Sequence, residues 1–314
     1  MQPVFHSTAD YHRRGIESLG WELTVCNMLE PRNSPCRTVL ATKSSYGHLL
    51  YDFLAGRVPM EDVRSVVEIG GGYGCLMRDF LDRKPALSVT MLDISPALLE
   101  RQRDTLRERK IEWRNEDLLS SDPQTFSEFD LAVLNEILGD FPVVTGLGVD
   151  DLSPDASHVS EEVRAVGRLF DRYGFPKPDA ELFSFHIGAV RATEKLCAAG
   201  IPYIFIGEHS CEAKVPEEYR PFVRVRGGGI PERIPLYGHD EYTVAFSHLA
   251  RVAGAWGYDV LRGPFADYLP IEWTDGLRCV LSSGIEMTGR EEILRQFVGD
   301  LYQYEYLLLQ RRKD

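Results

Sequence analysis

The sequence has little of what would place it in a membrane, in a disulfide-rich fold or at a metal centre. Its 314 residues contain no apolar run close to the roughly 20 residues that a membrane-spanning helix needs. The six cysteines are dispersed without a Cys-x-x-Cys pair, which argues against a disulfide framework and against a zinc site of that type. The eight histidines are equally scattered, and no His-Glu-x-x-His motif occurs, so no metal site is predicted.

Positive charge is also scarce, because 35 lysines and arginines face 48 acidic residues and give a net charge of -13. A field of that sign repels phosphate backbones and anionic membrane surfaces, so neither nucleic acid nor a membrane is expected as a partner. A small molecule or a basic protein segment suits it better, and the oligomeric state is not indicated. The first residues lack the basic-then-apolar order of a secretory signal, so the expected location is the cytoplasm.

The order of predicted elements favours one fold class. Strands are predicted at 65–69, 88–94, 111–117 and 129–137, with helices between them. Short β-branched strands that alternate with helices predict a mostly parallel, doubly wound α/β sheet of Rossmann-like type.

The same pattern divides the chain. Residues 1–62 are expected to form a helical N-terminal extension, and residues 63–314 one ligand-binding domain. This domain is interrupted by insertions at about 141–180, read as an acidic loop around one helix that begins after Ser160, and at about 224–243.

The stretch VVEIGGGYGCLM, from Val66 to Met77, is the most informative segment. Glycine permits positive φ and removes the Cβ that would keep a ligand away from the backbone. The dinucleotide fingerprint G-x-G-x-x-G fails, because Cys75 or Met77 stands where its last glycine belongs. A phosphate-binding loop fails too, since no Gly-Lys-Ser/Thr follows. What remains is the pattern Glu68-x-Gly-x-Gly-x-Gly, or a tight turn without any ligand.

Three further predicted strands carry an acid at or just after their end: Asp93-Ile94 and Asn135-Glu136 end their strands, and Asp117-Leu118 follows its strand. In an open α/β sheet these strand ends border the ligand crevice. A carboxylate about twenty residues past the glycines can accept both hydroxyls of a ribose. Two alternatives stay open: Asp93 as an acid at the start of the next helix, and Glu136 as a structural cap.

Together these positions resemble the motifs of class I S-adenosylmethionine (SAM) methyltransferases, over about 60–210 and the closing strands. The resemblance implies SAM as the cofactor and places Asn135 and Glu136 at the methyl-transfer pocket. Our hypothesis makes Glu136 the candidate catalytic residue there, with Asn135 and either Glu208 or His209 as helping residues. The resemblance also implies adenine contacts for Asp117 and Leu118. The cofactor-binding residues that it implies are Glu68, Gly70, Gly71, Gly72, Asp93, Ile94, Asp117, Leu118 and Asn135.

A narrower resemblance is to the MidA-like methyltransferases, which include mitochondrial complex I assembly factors. It is carried by NEILGDFPV, from Asn135 to Val143, and by the later GHDEYTVAFSHLARVAGAWGYDVL. The glycine loop departs from that family's Gly-Pro-Gly-x-Gly, and Glu208-His209 replaces its Asp-Tyr-Gly. The expected acceptor is a protein arginine or a small metabolite. The alternatives are a binding or assembly protein without turnover and, less well matched, a nicotinamide oxidoreductase.

Overall fold

Helices and strands alternate through most of the chain in a computed structural model, which describes residues 2–15, 24–153, 159–283 and 289–312. The helices are α1 (Ala9–Gly15), α2 (Val25–Leu29), α3 (Tyr46–Ala55), α4 (Cys75–Arg83), α5 (Pro96–Leu106), α6 (Glu161–Tyr173), α7 (Ile187–Ala199), α8 (Phe246–Ala255), α9 (Asp275–Ser282) and α10 (Gly289–Gln303). The strands are β1 (Val4–His6), β2 (Ser65–Ile69), β3 (Ser88–Asp93), β4 (Ile111–Asn115), β5 (Leu131–Asn135), β6 (Val143–Leu147), β7 (Phe183–Phe185), β8 (Tyr203–His209), β9 (Arg233–Pro235), β10 (Asp240–Tyr242), β11 (Tyr258–Pro264) and β12 (Tyr304–Arg311).

A seven-stranded sheet with the order β11-β12-β8-β5-β2-β3-β4 forms the centre of the molecule. Strands β2, β3, β4, β5 and β8 are parallel. At one edge, β12 is antiparallel to both of its neighbours, β8 and β11. The chain runs from β2 outward to β4 and then returns to β5 on the other side of β2. This reversal of strand order creates a crevice at the carboxyl ends of β2 and β5. The predicted Rossmann-like, mostly parallel α/β fold is confirmed.

Both faces of the sheet are covered, which explains why its central strands are apolar almost throughout. On one face, helices α3, α4 and α10 contribute to a cluster of buried side chains with Leu50, Phe80 and Phe297. On the other face, α6, α7 and α8 contribute to a second cluster with Val166 and Leu196. Parallel strands buried on both sides read as continuous runs of Val, Ile and Leu. Within the described residues, no helix combines the length and the apolarity that crossing a bilayer requires.

The strand predicted at 111–117, which is β4 in the structure, was too long by two residues. It ends at Asn115, because the Asp117 carboxylate accepts a hydrogen bond from the backbone N–H of Leu119 at 2.9 Å and turns the chain. The predicted cap at Ser160 is confirmed, since its hydroxyl accepts the Val163 N–H at 3.4 Å.

The N-terminal extension, expected to consist of helices and loops, also contains the short strand β1. This strand pairs antiparallel with β6, and β6 pairs with β7, so the three form a separate small sheet. Strand β6 lies in the first predicted insertion, which was expected to be a loop around one helix. Its partner is about 140 residues away in the sequence, and local periodicity carries no trace of such a pairing. The second insertion contains the hairpin β9–β10. The division at residue 62 remains a prediction.

Candidate functional site

The glycine loop between β2 and α4 has a conformation that side chains would not tolerate. Gly70, Gly72 and Gly74 have φ of 68°, 52° and 79°. A Cβ at Gly70 would lie 2.4 Å from Cγ1 of Ile137, and one at Gly71 would lie 2.8 Å from Oε2 of Glu68. Close packing therefore requires glycine at these two positions whether or not a ligand approaches.

Glu68 lies beneath this loop at the end of β2 and is 3% exposed. Its Oε2 has no hydrogen-bond partner in the part of the chain that the structure describes. Burial, followed by the negative charge of Asp93, raises the pKa of the Glu68 carboxyl to about 8. A buried carboxylate oxygen without a donor is costly, so this position suits a ligand that brings a cationic or N–H group.

Asp93 is held at the end of β3 by two donors. The Ser95 N–H donates to Oδ1 and the Gln102 side-chain amide donates to Oδ2, both at 2.9 Å. Burial raises the pKa of this carboxyl to about 6, although both hydrogen bonds act in the opposite direction. The Ser95 hydroxyl, and not Asp93, caps α5 by accepting the Leu98 N–H at 3.3 Å. The Asp93 carboxylate is therefore oriented, and the cap role is filled by another residue.

Gln102 links Asp93 to the glycine loop. This residue was not predicted from the sequence as part of the site. Its amide nitrogen also donates to the Gly72 carbonyl at 3.2 Å, so one side chain fixes the glycine loop against Asp93. Nothing in the sequence of α5 separates this glutamine from an ordinary helix residue.

Asp117 and Leu118 follow β4, as predicted. Leu118 is 2% exposed, and the Asp117 Oδ2 accepts a hydrogen bond from Arg13 at 3.0 Å. Arg13 belongs to α1, so this ion pair brings the N-terminal segment to the rim of the site.

One cavity at the carboxyl ends of β2, β3 and β5 is lined by ten of the predicted site residues: Glu68, Gly70, Gly71, Gly72, Asp93, Ile94, Asp117, Leu118, Asn135 and Glu136. The N-terminal part of the chain also contributes lining residues that no sequence motif predicted: Ser7, Thr8, Ala9, His12, Thr24, Cys26 and Asn27. We call residues 7–13 and 24–27 the N-terminal cover. The roles assigned to the ten residues remain predictions.

Glu136 joins this cover to the end of β5. Its Oε2 accepts the Val25 N–H at 2.7 Å and its Oε1 accepts the Cys26 N–H at 3.1 Å, so it caps the first turn of α2. Burial raises the pKa of this carboxyl to about 7, against the effect of these hydrogen bonds. Among the described residues, Glu136 is also the one non-glycine with positive φ, at 54°. The capping alternative is thus present in the structure, and a part in catalysis stays a prediction.

Asn135, the neighbour of Glu136, is held by a side chain of α3. Its Oδ1 accepts a hydrogen bond from the Tyr46 hydroxyl, which lies 2.8 Å from the Tyr268 hydroxyl. Its amide nitrogen donates to the Glu136 Oε1 at 3.0 Å. These contacts orient both residues at the strand end.

Asp140 is the next acid along the chain and borders the same cavity. Its Oδ1 accepts a hydrogen bond from the Nε2 of His12 at 2.7 Å and lies 3.3 Å from the Nε2 of His239. Burial opposes ionisation, but the hydrogen bonds of the two histidines outweigh it and hold the pKa of this carboxyl well below its usual range.

Glu208 and His209 are not among the described lining residues of the cavity. The Glu208 carboxylate accepts the Gly139 N–H at 3.0 Å and the His209 N–H at 2.7 Å, and burial raises its pKa. Burial lowers the pKa of His209 to about 3, and its ring packs on Tyr304 with centroids 3.7 Å apart. The structure therefore does not bring these two candidates to the pocket.

One family model matches part of the chain that lines the cavity. Residues 67–165, which hold the glycine loop and the strand ends as far as Asp140, match the family model of a methyltransferase domain. No curated protein sequence matches the chain significantly.

Similar solved structures include the [4+2]-cyclase SpnF, with 14% identity over 85% of this chain and 82% of that chain and a TM-score of 0.44. The phosphoethanolamine N-methyltransferase 2 of Haemonchus contortus has 12% identity over 86% of this chain and 53% of that chain, with a TM-score of 0.46. The magnesium protoporphyrin IX methyltransferase of Synechocystis has 12% identity, coverage of 85% and 80%, and a TM-score of 0.41. All three are too distant to carry an argument about activity or substrate.

Proposed function

We propose that this chain is a SAM-dependent methyltransferase. The observation that carries the proposal is the single cavity in which the glycine loop, Glu68, Asp93 and Asp117 meet at the reversal point of the sheet. A nucleoside cofactor in an open α/β sheet binds at this place. The family match over residues 67–165 supports the same activity.

The chain offers a separate group to each part of such a cofactor. The Asp93 carboxylate would accept the ribose hydroxyls, and Asp117 with Leu118 would hold the adenine. The unpaired Glu68 oxygen and the glycine loop provide the acceptor and the space for the remaining part. When bound, SAM supplies a methyl group on a sulfonium, which is already activated toward displacement. The remaining task of these residues is to hold the two reactants in line and to exclude water.

The acceptor side of the cavity is acidic, with Glu136 and Asp140 on its border. Carboxylates pair well with a guanidinium, so an arginine side chain or a small cationic metabolite is the acceptor that we favour. This choice agrees with the MidA-like resemblance. In this role Glu136, with a pKa raised to about 7, would take the proton that a methylated nitrogen or oxygen must lose.

Calorimetric titration tests the cofactor directly. We expect SAM and S-adenosylhomocysteine to bind with one equivalent per chain, and NAD⁺ not to bind. Binding of NAD⁺ in place of SAM, or of neither, would overturn the proposal. An acceptor screen with labelled SAM, comparing arginine-containing proteins with a metabolite panel in a cytosolic extract, then identifies the substrate. Cell fractionation tests the cytoplasmic location that accompanies this proposal.

A binding or assembly protein without turnover is the second candidate. It is favoured by the hydrogen bonds that occupy both carboxylate oxygens of Glu136, since a base must be free to accept a proton. This candidate predicts SAM binding without methylated product in either class of acceptor.

A further inference from the structure

Three metal-binding side chains converge beside the proposed cofactor residues. They are His12 of α1, Asp140 after β5, and His239, which precedes β10 in the β9–β10 hairpin. The Nε2 atoms of both histidines approach the same oxygen, Asp140 Oδ1, at 2.7 and 3.3 Å. All three donor atoms lie within 4.8 Å of one another. Donors at 2.0–2.2 Å from one tetrahedral zinc ion are about 3.3–3.6 Å apart. The His239 separation therefore already matches shared ligands, and the His12 separation, now that of a hydrogen bond, would have to widen by less than about 1 Å.

The cluster is buried and its members are held in place. The side chains of His12, Asp140 and His239 are 8%, 10% and 3% exposed. The ring of Tyr11 stacks on that of His239 with centroids 4.4 Å apart, and the Thr8 hydroxyl donates to the Asp140 carbonyl at 2.6 Å. Such support from neighbouring groups is what keeps metal ligands oriented.

Charge distinguishes this cluster from the other group of similar composition. In the described residues, His48, Asp79 and Asp82 also lie close together. There, however, Arg78 pairs with Asp79 at 2.9 Å and Arg109 pairs with Asp82 at 2.6 Å, so positive charge is already supplied. Within the described ranges the ion pairs of Asp140 are with the two histidines alone.

We propose that His12, Asp140 and His239 form a binding site for one divalent transition-metal ion of the Zn²⁺ or Fe²⁺ class. Two imidazole nitrogens and one carboxylate are a recurrent ligand set for these ions, with further coordination positions open. To bind it, each histidine would carry its proton on Nδ1 and present an unprotonated Nε2. Glu241, with Oε1 at 3.9 Å from the His239 Nε2, is a further oxygen donor beside the cluster.

The proposed metal site borders the cavity, so a bound ion could contact the methyl acceptor. His12 and Asp140 line the cavity, so the open coordination positions would face the acceptor side. An ion there would bind and polarise an oxygen or an uncharged nitrogen of the acceptor. Because the ion would occupy Asp140, Glu136 alone would then be left to pair with a cationic acceptor. The site does not depend on methyl transfer, because its ligands are separate from the groups proposed to bind SAM. It replaces the expectation, drawn from the sequence alone, that the chain has no metal site.

Metal titration of the full chain, purified and treated with a chelator, tests the proposal without any substrate. We expect one equivalent of Co²⁺ to bind and to give visible absorption bands, and Zn²⁺ to displace it. His12→Gln and His239→Gln should each weaken Co²⁺ binding by more than about tenfold. His48→Gln, in the cluster that already holds arginines, should leave it unchanged.

If a histidine variant folds poorly, the change in Tm on adding Zn²⁺ to the folded proteins provides a second test of metal binding. Zn²⁺ should raise the Tm of the unaltered chain and of His48→Gln, because a ligand that binds only the folded state stabilises it. The proposal fails if the unaltered chain binds no Co²⁺ or Zn²⁺ at one equivalent. It also fails if both histidine variants bind as tightly as the original, and the three residues are then a hydrogen-bonded cluster.

Discussion

The two sides of the cavity are built in different ways. The proposed cofactor side comes from Glu68 to Leu118, about fifty consecutive residues in which each contributing group follows a strand of the parallel sheet. The acceptor side combines the N-terminal cover with the end of β5 and the residues that follow it as far as Asp140, which are far apart in sequence. We therefore expect changes on the first side to act on cofactor affinity and changes on the second side to act on turnover.

The sharpest test of this division is Glu136→Gln. We expect turnover of the acceptor found by the screen to fall by about 100-fold or more, because a positioned base contributes at least that much. The Kd for SAM should stay within about threefold, since Glu136 is assigned to the acceptor side. Full activity would exclude a catalytic role. Loss of stability and of SAM affinity together with activity would identify Glu136 as a cap for α2 only.

Asp93→Asn should act on the other side. The amide cannot provide the charge or the two acceptor oxygens of the carboxylate, so we expect the Kd for SAM to rise by about 10- to 100-fold. Calorimetry measures this change, and Asp259→Asn on β11, where the carboxylate is 73% exposed, is the matched control. If Asp93→Asn binds SAM as tightly as the control, Asp93 does not contact the cofactor.

Glu68 should make the stability of the chain depend on pH in the absence of SAM. Its pKa of about 8 in the folded state lies above the ordinary value of 4.5, so folding retains a proton that the unfolded chain has lost. The free energy of unfolding should therefore decrease as the pH rises from about 4.5 to about 8, by at most about 1.4 kcal/mol per pH unit for this one group.

Denaturant titrations at pH 5.5 and pH 8 would measure this effect. Glu136 and Asp300, whose pKa values burial raises to about 7, add to the same slope. The difference between the unaltered chain and Glu68→Gln therefore isolates the contribution of Glu68. We expect a smaller pH dependence in Glu68→Gln and an unchanged one in Glu61→Gln, an exposed control. Equal slopes in all three would contradict the assignment.

Arg13→Ala should have the smallest effect. The Arg13 side chain is 46% exposed, and an ion pair of this kind contributes less than about 1 kcal/mol. We expect the Kd for SAM to rise by no more than about threefold, and less at high salt. A larger loss would show that the N-terminal cover belongs to the cofactor side, and the division proposed above would fail.

The residues on the cofactor side could be predicted from the sequence, whereas several on the acceptor side could not. Glu68, the glycines, Asp93 and Asp117 were found because strand, turn and helix signals are local, and the carboxyl ends of parallel strands share one edge. The positions of these residues in one cavity agree with that reasoning.

His12 and His239 could not be found in this way. Each is an isolated histidine in its own segment, and their approach to Asp140 depends on how α1 and the β9–β10 hairpin pack. The pairing of β1 with β6 was missed for the same reason. Glu208 and His209 show the opposite error, since a strand end placed them in the pocket whereas the structure turns the Glu208 carboxylate toward the backbone of Gly139.

The order of strands at the antiparallel edge has a consequence for biosynthesis. Strand β11 precedes β12 in the chain, yet β12 lies between β11 and β8 and is hydrogen-bonded to both. While the ribosome is still adding residues 265–303, β11 has no partner to join and the edge of β8 is uncovered. Uncovered edges invite pairing with other chains. Nascent chains stopped before residue 304 should thus be the species that most needs a chaperone.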